Sequence, residues 1–268
     1  YYRLVKWLTI IIVAGLLAFQ ITYLSLAMVY RTKAILTPTY DFGLFTQMFY
    51  NMSHFNGMVT TLERSVLMTH MAVHVSPIYY LILPVFMIFP YPETLQVVQV
   101  LIVACGLIPL YLIAKKFKFS TLVTGLVMLI YIFHPALISS SFFDLHENCF
   151  LAPLLLFVLY FVITQNSLGL MISATLTMLV KEDASIYLIF IGLYTIFGHG
   201  STISDPNEKK LNLQYGISMI VFSTLYFLIV TTLLEQTGTG AMFFNRKLHL
   251  ENGNKEKVEK AHESRLGY

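Results

Sequence analysis

The sequence predicts an all-α polytopic membrane protein, a transmembrane helical bundle of about seven spanning helices. Hydrophobic residues make up 57% of the 268 residues and charged residues only 12%, whereas an ordinary soluble domain carries about 25% charged residues. Apolar runs also follow one another along most of the chain. A helix that crosses the hydrocarbon core of a bilayer needs about 20 such residues at about 1.5 Å rise each. Composition and pattern therefore predict the same fold class.

The apolar runs define the predicted spans in chain order. They cover residues 8–30, 95–114, 121–141, 150–164, 168–180, 186–197 and 213–234. Another apolar stretch, residues 76–90, contains three prolines and falls in the length class of re-entrant or interfacial segments. Whether it crosses the membrane decides the predicted topology.

The positions of the charges favour one topology. If residues 76–90 do not cross and the N-terminus is cytoplasmic, the lysines of AKKFKFS and DPNEKK fall inside, as the positive-inside rule asks of short loops. All the acidic clusters then fall outside, and residues 31–93 form a long first external loop. If residues 76–90 cross, both assignments reverse. We favour the first topology and predict an integral membrane protein with its N-terminus in the cytoplasm and its active face outside.

Residues 1–244 form one predicted membrane domain, and residues 245–268 form a polar tail. The tail is either a short surface helix, a disordered segment or the start of a further segment. No basic run is dense enough to indicate nucleic acid. Cys105 and Cys149 carry no metal signature and do not predict a disulfide. The sequence does not predict an oligomeric state.

The first candidate site residue is Asp41, a lone carboxylate among aromatic residues just past the first span. Polar groups beside spanning helices are costly, so they tend to face a cavity. Asp41 is either a general base whose pKa is set by burial or part of an interfacial loop held by aromatic anchors.

The histidines of the same loop form a second candidate group. His70 and His74 are four residues apart and share a face if the stretch is helical. They either bind a metal or are neutral interfacial histidines. Arg64 is a candidate ligand for a phosphate group because its guanidinium fork matches phosphate oxygens; Glu63 beside it could make a surface ion pair.

Two further clusters follow later spans. Asp144, His146 and Glu147 either bind a divalent cation, with Mg²⁺ or Mn²⁺ favoured if oxygen ligands dominate, or form a helix–helix turn with Asp144 as a cap. The cluster KED, Lys181 to Asp183 with Glu182 between them, is ordinarily a solvated loop. Its placement on the same predicted face as the other acids favours a shared site.

The motifs YDFGLFTQ, HMAVHVSPIYYLILP, LQVVQVLIVACGLIPLYLIAKKF, FFDLHEN and KEDASI resemble those of a bacterial and archaeal family of predicted polytopic membrane proteins of unknown function. That family is similar in layout to the GT-C glycosyltransferases. The resemblance implies a GT-C-like first external loop with juxtamembrane helices, a polyprenyl-phosphate-linked sugar as donor and Asp41 as the first-loop acid. It also implies Asp144 and Glu147 as second-loop acids, although His146 stands where an acid-x-acid pattern would put a carboxylate.

The leading hypothesis is a membrane glycosyltransferase that moves a sugar from a polyprenyl-phosphate donor to an acceptor on the outer face. The protein is also expected to contact membrane lipids. Asp41 would deprotonate the acceptor, the KED cluster and the first-loop cations would hold the lipid phosphate, and the DLHE acids would position a metal or the acceptor. The alternatives are an ion- or solute-coupled transporter and a noncatalytic subunit that binds a lipid-linked sugar. A transporter predicts polar groups at the bilayer midplane.

Overall fold

The computed structural model describes residues 2–37, 39–63 and 67–237, and the helical prediction is confirmed there. The helices are α1 (Tyr2–Lys33), α2 (Thr39–Ser53), α3 (Leu83–Ile88), α4 (Pro92–Cys105), α5 (Leu107–Lys116), α6 (Thr121–Ile132), α7 (Pro135–Phe142), α8 (Leu151–Ile163), α9 (Ser167–Met178), α10 (Ala184–Leu193) and α11 (Pro206–Thr237). Three-residue-per-turn helices cover His70–Ala72, Pro77–Leu81, Glu147–Phe150 and His199–Thr202, and a π-helical turn covers Tyr194–Gly198. Two short antiparallel strands, β1 (Val59–Thr60) and β2 (Met68–Thr69), pair within the first loop.

The count of seven spans is not confirmed. Within the described residues, three helical segments are long and apolar enough to cross a membrane: Arg3–Lys33, Pro92–Lys116 and Pro206–Gln236. Helices α6 and α7 make a fourth span only if the pair counts as one. Three of the predicted spans fall in shorter apolar helices of 10–17 residues, which rise by about 15 to 26 Å against a hydrocarbon thickness of about 30 Å.

The predicted span 121–141 is broken in the middle. Helices α6 and α7 meet at an angle of 41°, because the chain leaves helical geometry at His134, whose ψ is 127°. Pro135 follows it, and a proline disfavours the helical conformation in the residue before it. The apolar pattern continues through this point, so hydropathy does not report the break.

Residues 76–90 form two short helices, Pro77–Leu81 of five residues and α3 of six. Neither is long enough to cross a membrane. Ile78, Tyr79 and Ile82 are instead buried in the main core of the protein. This stretch therefore folds back against the bundle, as an apolar segment that is too short to span must do.

The first loop packs onto the bundle through α2. This helix buries Leu44, Phe45, Met48, Phe49 and Met52, a helical spacing that makes one continuous apolar face. The face packs in the main core with apolar side chains of the 76–90 stretch, α4 and the segment 145–150. The loop is thereby fixed over the ends of α4 and α8, where the acidic clusters lie.

The hairpin β1–β2 is attached to the polar side of α2. Thr60 Oγ1 donates a hydrogen bond of 2.7 Å to Gln47 Oε1, and Asn51 Nδ2 donates one of 2.8 Å to the Val59 carbonyl. Gly57, which leads into β1, has a φ of 78°, a conformation that favours glycine. These contacts set the path of the chain from α2 to His70.

Candidate functional site

Four segments bring ionisable side chains to one end of the bundle. They are the first turn of α2, the stretch from Glu63 to Tyr79, the connection between α7 and α8, and the connection between α9 and α10. The side chains are Asp41, Glu63, His70, His74, Tyr79, Asp144, His146, Glu147, Lys181 and Glu182.

The centre of the cluster is the carboxylate of Glu147, which is 0% exposed. The Tyr79 hydroxyl donates a hydrogen bond of 2.7 Å to its Oε2. His146 Nδ1 lies 3.3 Å from the same oxygen, and Lys181 Nζ lies 3.3 Å from Oε1. Burial raises the pKa of Glu147, but His146, Tyr79 and Lys181 together lower it more, so the net pKa is below the usual value. Glu147 is therefore a buried anion that holds its three neighbours in place.

A second carboxylate ties the first loop to the connection between α9 and α10. His74 Nδ1 lies 2.9 Å from Glu182 Oε1, and the Val75 amide donates a hydrogen bond of 3.1 Å to Glu182 Oε2. Burial raises the pKa of Glu182, but the hydrogen bond from His74 and further backbone bonds bring it below its usual value. The Ile78 amide also donates to the Leu179 carbonyl at 3.0 Å. The loop is thus held to this connection by side-chain and backbone bonds.

A third imidazole–carboxylate pair lies beside the second. His70 Nδ1 is 3.1 Å from Glu63 Oε2, and the His70 side chain is buried. Its ring meets the Phe45 ring edge-on at 5.4 Å between centroids. Within the described residues, the buried Nε2 of His70 has no hydrogen-bond partner. The ring of His74 lies 6.0 Å from that of His70, so the two pairs are adjacent.

Asp144 is an acid of the cluster whose pKa is raised. It is 0% exposed, and burial raises its pKa from 3.8 to about 6. Arg31 lowers that pKa, Asp41 raises it, and hydrogen bonds from Gln96 and the Phe42 backbone lower it. An acid that ionises near pH 6 can hold or release a proton under ordinary conditions.

Two glutamines of α4 set the geometry of the connection between α7 and α8. Gln96 Nε2 lies 3.4 Å from Asp144 Oδ1. Gln99 Nε2 donates to the Phe143 carbonyl at 2.8 Å, while its Oε1 accepts from the His146 amide at 2.9 Å. The sequence reasoning missed both residues. The available signal was two amides three positions apart inside an otherwise apolar span.

His146 links the clusters to one another. Its side chain is 31% exposed, and burial lowers its pKa. Lys181 and His74 also lower that pKa, while Glu147 and Asp41 raise it. All four groups therefore lie close enough to act on one imidazole, so segments far apart in the chain share one site.

Two predicted site residues are not part of this arrangement as described. Asp183 is exposed at the start of α10, where it makes no side-chain cap bond. Arg64 lies outside the described residues. The predicted tail 245–268 also lies outside them.

The metal that the sequence predicts at Asp144, His146 and Glu147 stays a prediction. No group of three or more His, Cys, Asp and Glu side chains among the described residues could hold a metal ion. The oxygens of Glu147 face Tyr79, His146 and Lys181, whereas Asp144 faces Gln96 and the Phe42 backbone. Asp144 thus lies in a different environment from His146 and Glu147, which contact each other.

The fold and the site together define a helical integral membrane protein with a polar cluster at one end of its bundle. The chain belongs to a family of predicted membrane proteins (DUF2079), whose model matches residues 31–250. The match spans every segment of the site. No curated protein and no solved structure matches the chain. The family description names no activity, so function has to be argued from the site.

Proposed function

We propose that the protein is a membrane glycosyltransferase that uses a polyprenyl-phosphate-linked sugar as donor and acts at the outer face of the plasma membrane of a bacterium or archaeon. The observation that carries the proposal is the composition of the site. The half-buried carboxylate of Asp41 acts on the imidazole of His146. The basic side chains of His74 and Lys181 act on the same imidazole. Glycosyl transfer needs both a base for the acceptor and stabilisation of the departing phosphate.

Asp41 is the proposed general base. It lies in the first turn of α2. The Tyr40 hydroxyl donates a hydrogen bond of 2.6 Å to the Glu63 carbonyl, which fixes the start of α2 against the loop that carries His70 and His74. Asp41 is accessible to an acceptor hydroxyl, whereas Asp144 behind it is fully buried.

Lys181, His74 and His146 are the proposed partners of the donor phosphate. Glu182 and Glu147 hold all three by contacts of 2.9 to 3.3 Å. Preorganised donors of this kind stabilise charge that develops on a leaving group without the cost of reorientation. We assign Glu147 and Glu182 to positioning, and Asp144 to setting the charge beside Asp41. No step of the proposal uses a metal.

The test is the substitution Asp41→Asn in purified protein supplied with a panel of polyprenyl-phosphate hexoses labelled in the sugar. We expect transfer of the labelled hexose from the lipid phosphate to water or to an added acceptor alcohol to fall at least a hundredfold, the range typical of a lost general base. Glu235→Gln, which removes an exposed carboxylate from α11, is the matched control and should retain activity. A D41N variant that transfers hexose as fast as wild type would exclude Asp41 as the general base.

A second candidate function is a proton-coupled transporter. It is favoured by the three imidazole–carboxylate pairs, His70 with Glu63, His74 with Glu182 and His146 with Glu147, because such pairs can pass protons. In proteoliposomes loaded with a pH-sensitive dye, this function predicts solute-dependent proton movement that is lost in H74Q. If the protein is a glycosyltransferase, we expect hexose transfer and no solute-dependent proton movement.

A further inference from the structure

We infer that the groove between α1, α5 and α6, at the end of the bundle opposite the candidate site, binds one anionic phospholipid. The groove has a volume of about 530 Å³. It has lysines at one end and an apolar lining along the rest. It shares no side chain with the site proposed above, so the inference does not depend on the proposed activity.

Helix α1 places the groove on the other side of the membrane. Lys6 lines the groove, whereas Arg31 of the same helix acts on Asp144 in the candidate site. Residues 6 and 31 of a continuous helix are separated by a rise of about 37 Å, which exceeds the hydrocarbon thickness of about 30 Å. The groove therefore lies at the membrane face that the positive-inside rule assigns to the cytoplasm.

The polar end of the groove has the chemistry of a phosphate site. Lys6 and Lys115 both line it and are exposed. In the described part of the chain, neither lysine has a carboxylate partner within salt-bridge distance. The start of α6 also lies here: Thr121 lines the groove, and the Ser120 side chain caps the helix by accepting from the Val123 amide at 3.3 Å. Helix N-termini and lysines both favour a bound anion.

The rest of the groove suits a hydrocarbon chain. Ile10, Val13 and Leu17 line it from α1, and Met128 lines it from α6. From residue 6 to residue 17 the helix rises by about 16 Å, enough for much of one acyl chain. A Cβ on Gly125 would lie 2.7 Å from Val13, so this glycine lets α6 approach α1 and close the groove on its inner side.

The aromatic side chains at the rim agree with a position at the membrane surface. Trp7 lines the groove and is 62% exposed, and Lys115 Nζ lies 5.9 Å from the centre of the Tyr111 ring. Tryptophan and tyrosine are enriched at the headgroup level of bilayers. An anionic phospholipid matches both parts of the groove, with its phosphate at the two lysines and an acyl chain along the apolar lining.

The test measures lipid binding to the full chain in detergent by native mass spectrometry. Phosphatidylglycerol and phosphatidylcholine with identical acyl chains are the probes. We expect tighter binding of phosphatidylglycerol, and a loss of about tenfold or more in the double variant K6Q/K115Q, since each lysine near an anionic headgroup contributes measurably. K209Q/K210Q removes two exposed lysines from α11 on the same predicted face and should bind like wild type.

A second variant tests the chain-binding part of the groove. Ala14 is exposed and lines the groove, so Ala14→Phe should fill it without disturbing the fold, and phosphatidylglycerol binding should fall while the melting temperature in detergent alone stays unchanged. Equal binding of the two lipids would overturn the inference. So would an equal loss in K6Q/K115Q and K209Q/K210Q, or a loss of phosphatidylglycerol on addition of inorganic phosphate alone at low millimolar concentration.

Discussion

The substitution Asp144→Asn should stabilise the protein at neutral pH. The Asp144 side chain is 0% exposed, and its pKa is raised from 3.8 to about 6 chiefly because burial disfavours the charged form. Asparagine has nearly the same shape and can still accept the bonds from Gln96 and the Phe42 backbone. The substitution therefore removes the buried charge and leaves the local contacts in place.

The magnitude follows from the two pKa values. A pKa of about 6 in the folded protein instead of 3.8 in the unfolded chain corresponds to about 3 kcal/mol, at about 1.36 kcal/mol for each tenfold change in proton affinity. The sign is set by linkage: between pH 3.8 and about 6 the folded state binds more protons than the unfolded state, so stability falls as pH rises. Above about pH 6 the ionised Asp144 lowers the free energy of unfolding by the full amount.

The assay is thermal unfolding of wild type and D144N in the same detergent across pH 4 to 8. The two melting temperatures should be close near pH 4, and D144N should become progressively more stable as the pH approaches 7. Asp183→Asn serves as a control because this aspartate is exposed. It should follow the wild-type curve.

Parallel curves for wild type and D144N would refute the reasoning. They would mean that Asp144 ionises in the folded protein near its usual pKa, and that Arg31 offsets the burial. A D144N variant less stable than wild type at pH 7 would likewise show that the charge of Asp144 is stabilising.

Three further predictions concern the packing and the ion pairs. Tyr79→Phe should destabilise the protein by about 1 to 3 kcal/mol, because Glu147 loses a buried hydrogen bond of 2.7 Å; denaturant or thermal unfolding measures this, and an unchanged midpoint would contradict it. Gly216→Ala should cost about 1 to 3 kcal/mol, because its Cβ would lie 2.8 Å from the Gly192 carbonyl oxygen and force α10 and α11 apart; a melting temperature equal to wild type would argue against that close approach. Wild type should lose stability relative to Glu182→Gln as the pH falls below about 4.5, because the pKa of Glu182 is lowered in the fold and its stabilisation disappears on protonation; unfolding curves that keep a constant separation down to pH 3 would show that Glu182 contributes nothing of this kind.

The sequence alone was sufficient to predict the all-helical fold class and the positions of most helices. Each predicted span contains a helix, because a long apolar run in a bilayer must satisfy its own backbone hydrogen bonds. These are local properties, and composition and periodicity report them directly. For residues 76–90, the short length and three prolines left the crossing open, and the placement of the charges favoured a segment that does not cross.

Charge placement also indicated where the polar residues would gather. Successive apolar runs alternate the chain between the two membrane faces. This alternation puts Asp41, Asp144 and Glu147 at one end of the bundle and the lysines near residue 115 at the other. In the structure, Asp41 and Glu147 act on the same histidine. The number of full-length spans was not decided in this way, because hydropathy continues through His134 where the helix breaks.

Only the tertiary structure decided which groups are partners. His74 meets Glu182 across 108 positions of sequence, and Tyr79 meets Glu147 across 68. No local pattern encodes such pairs, since they depend on how α2 and the 76–90 stretch pack over α4. The sequence grouped Asp144, His146 and Glu147 as one metal set because they are adjacent in the chain. Packing separated Asp144 from the other two, since it faces Gln96 of α4, whereas His146 Nδ1 stays 3.3 Å from Glu147 Oε2. Burial raises the pKa of Asp144. The pKa of Glu147 is lowered instead, because its charged and hydrogen-bonding neighbours outweigh burial.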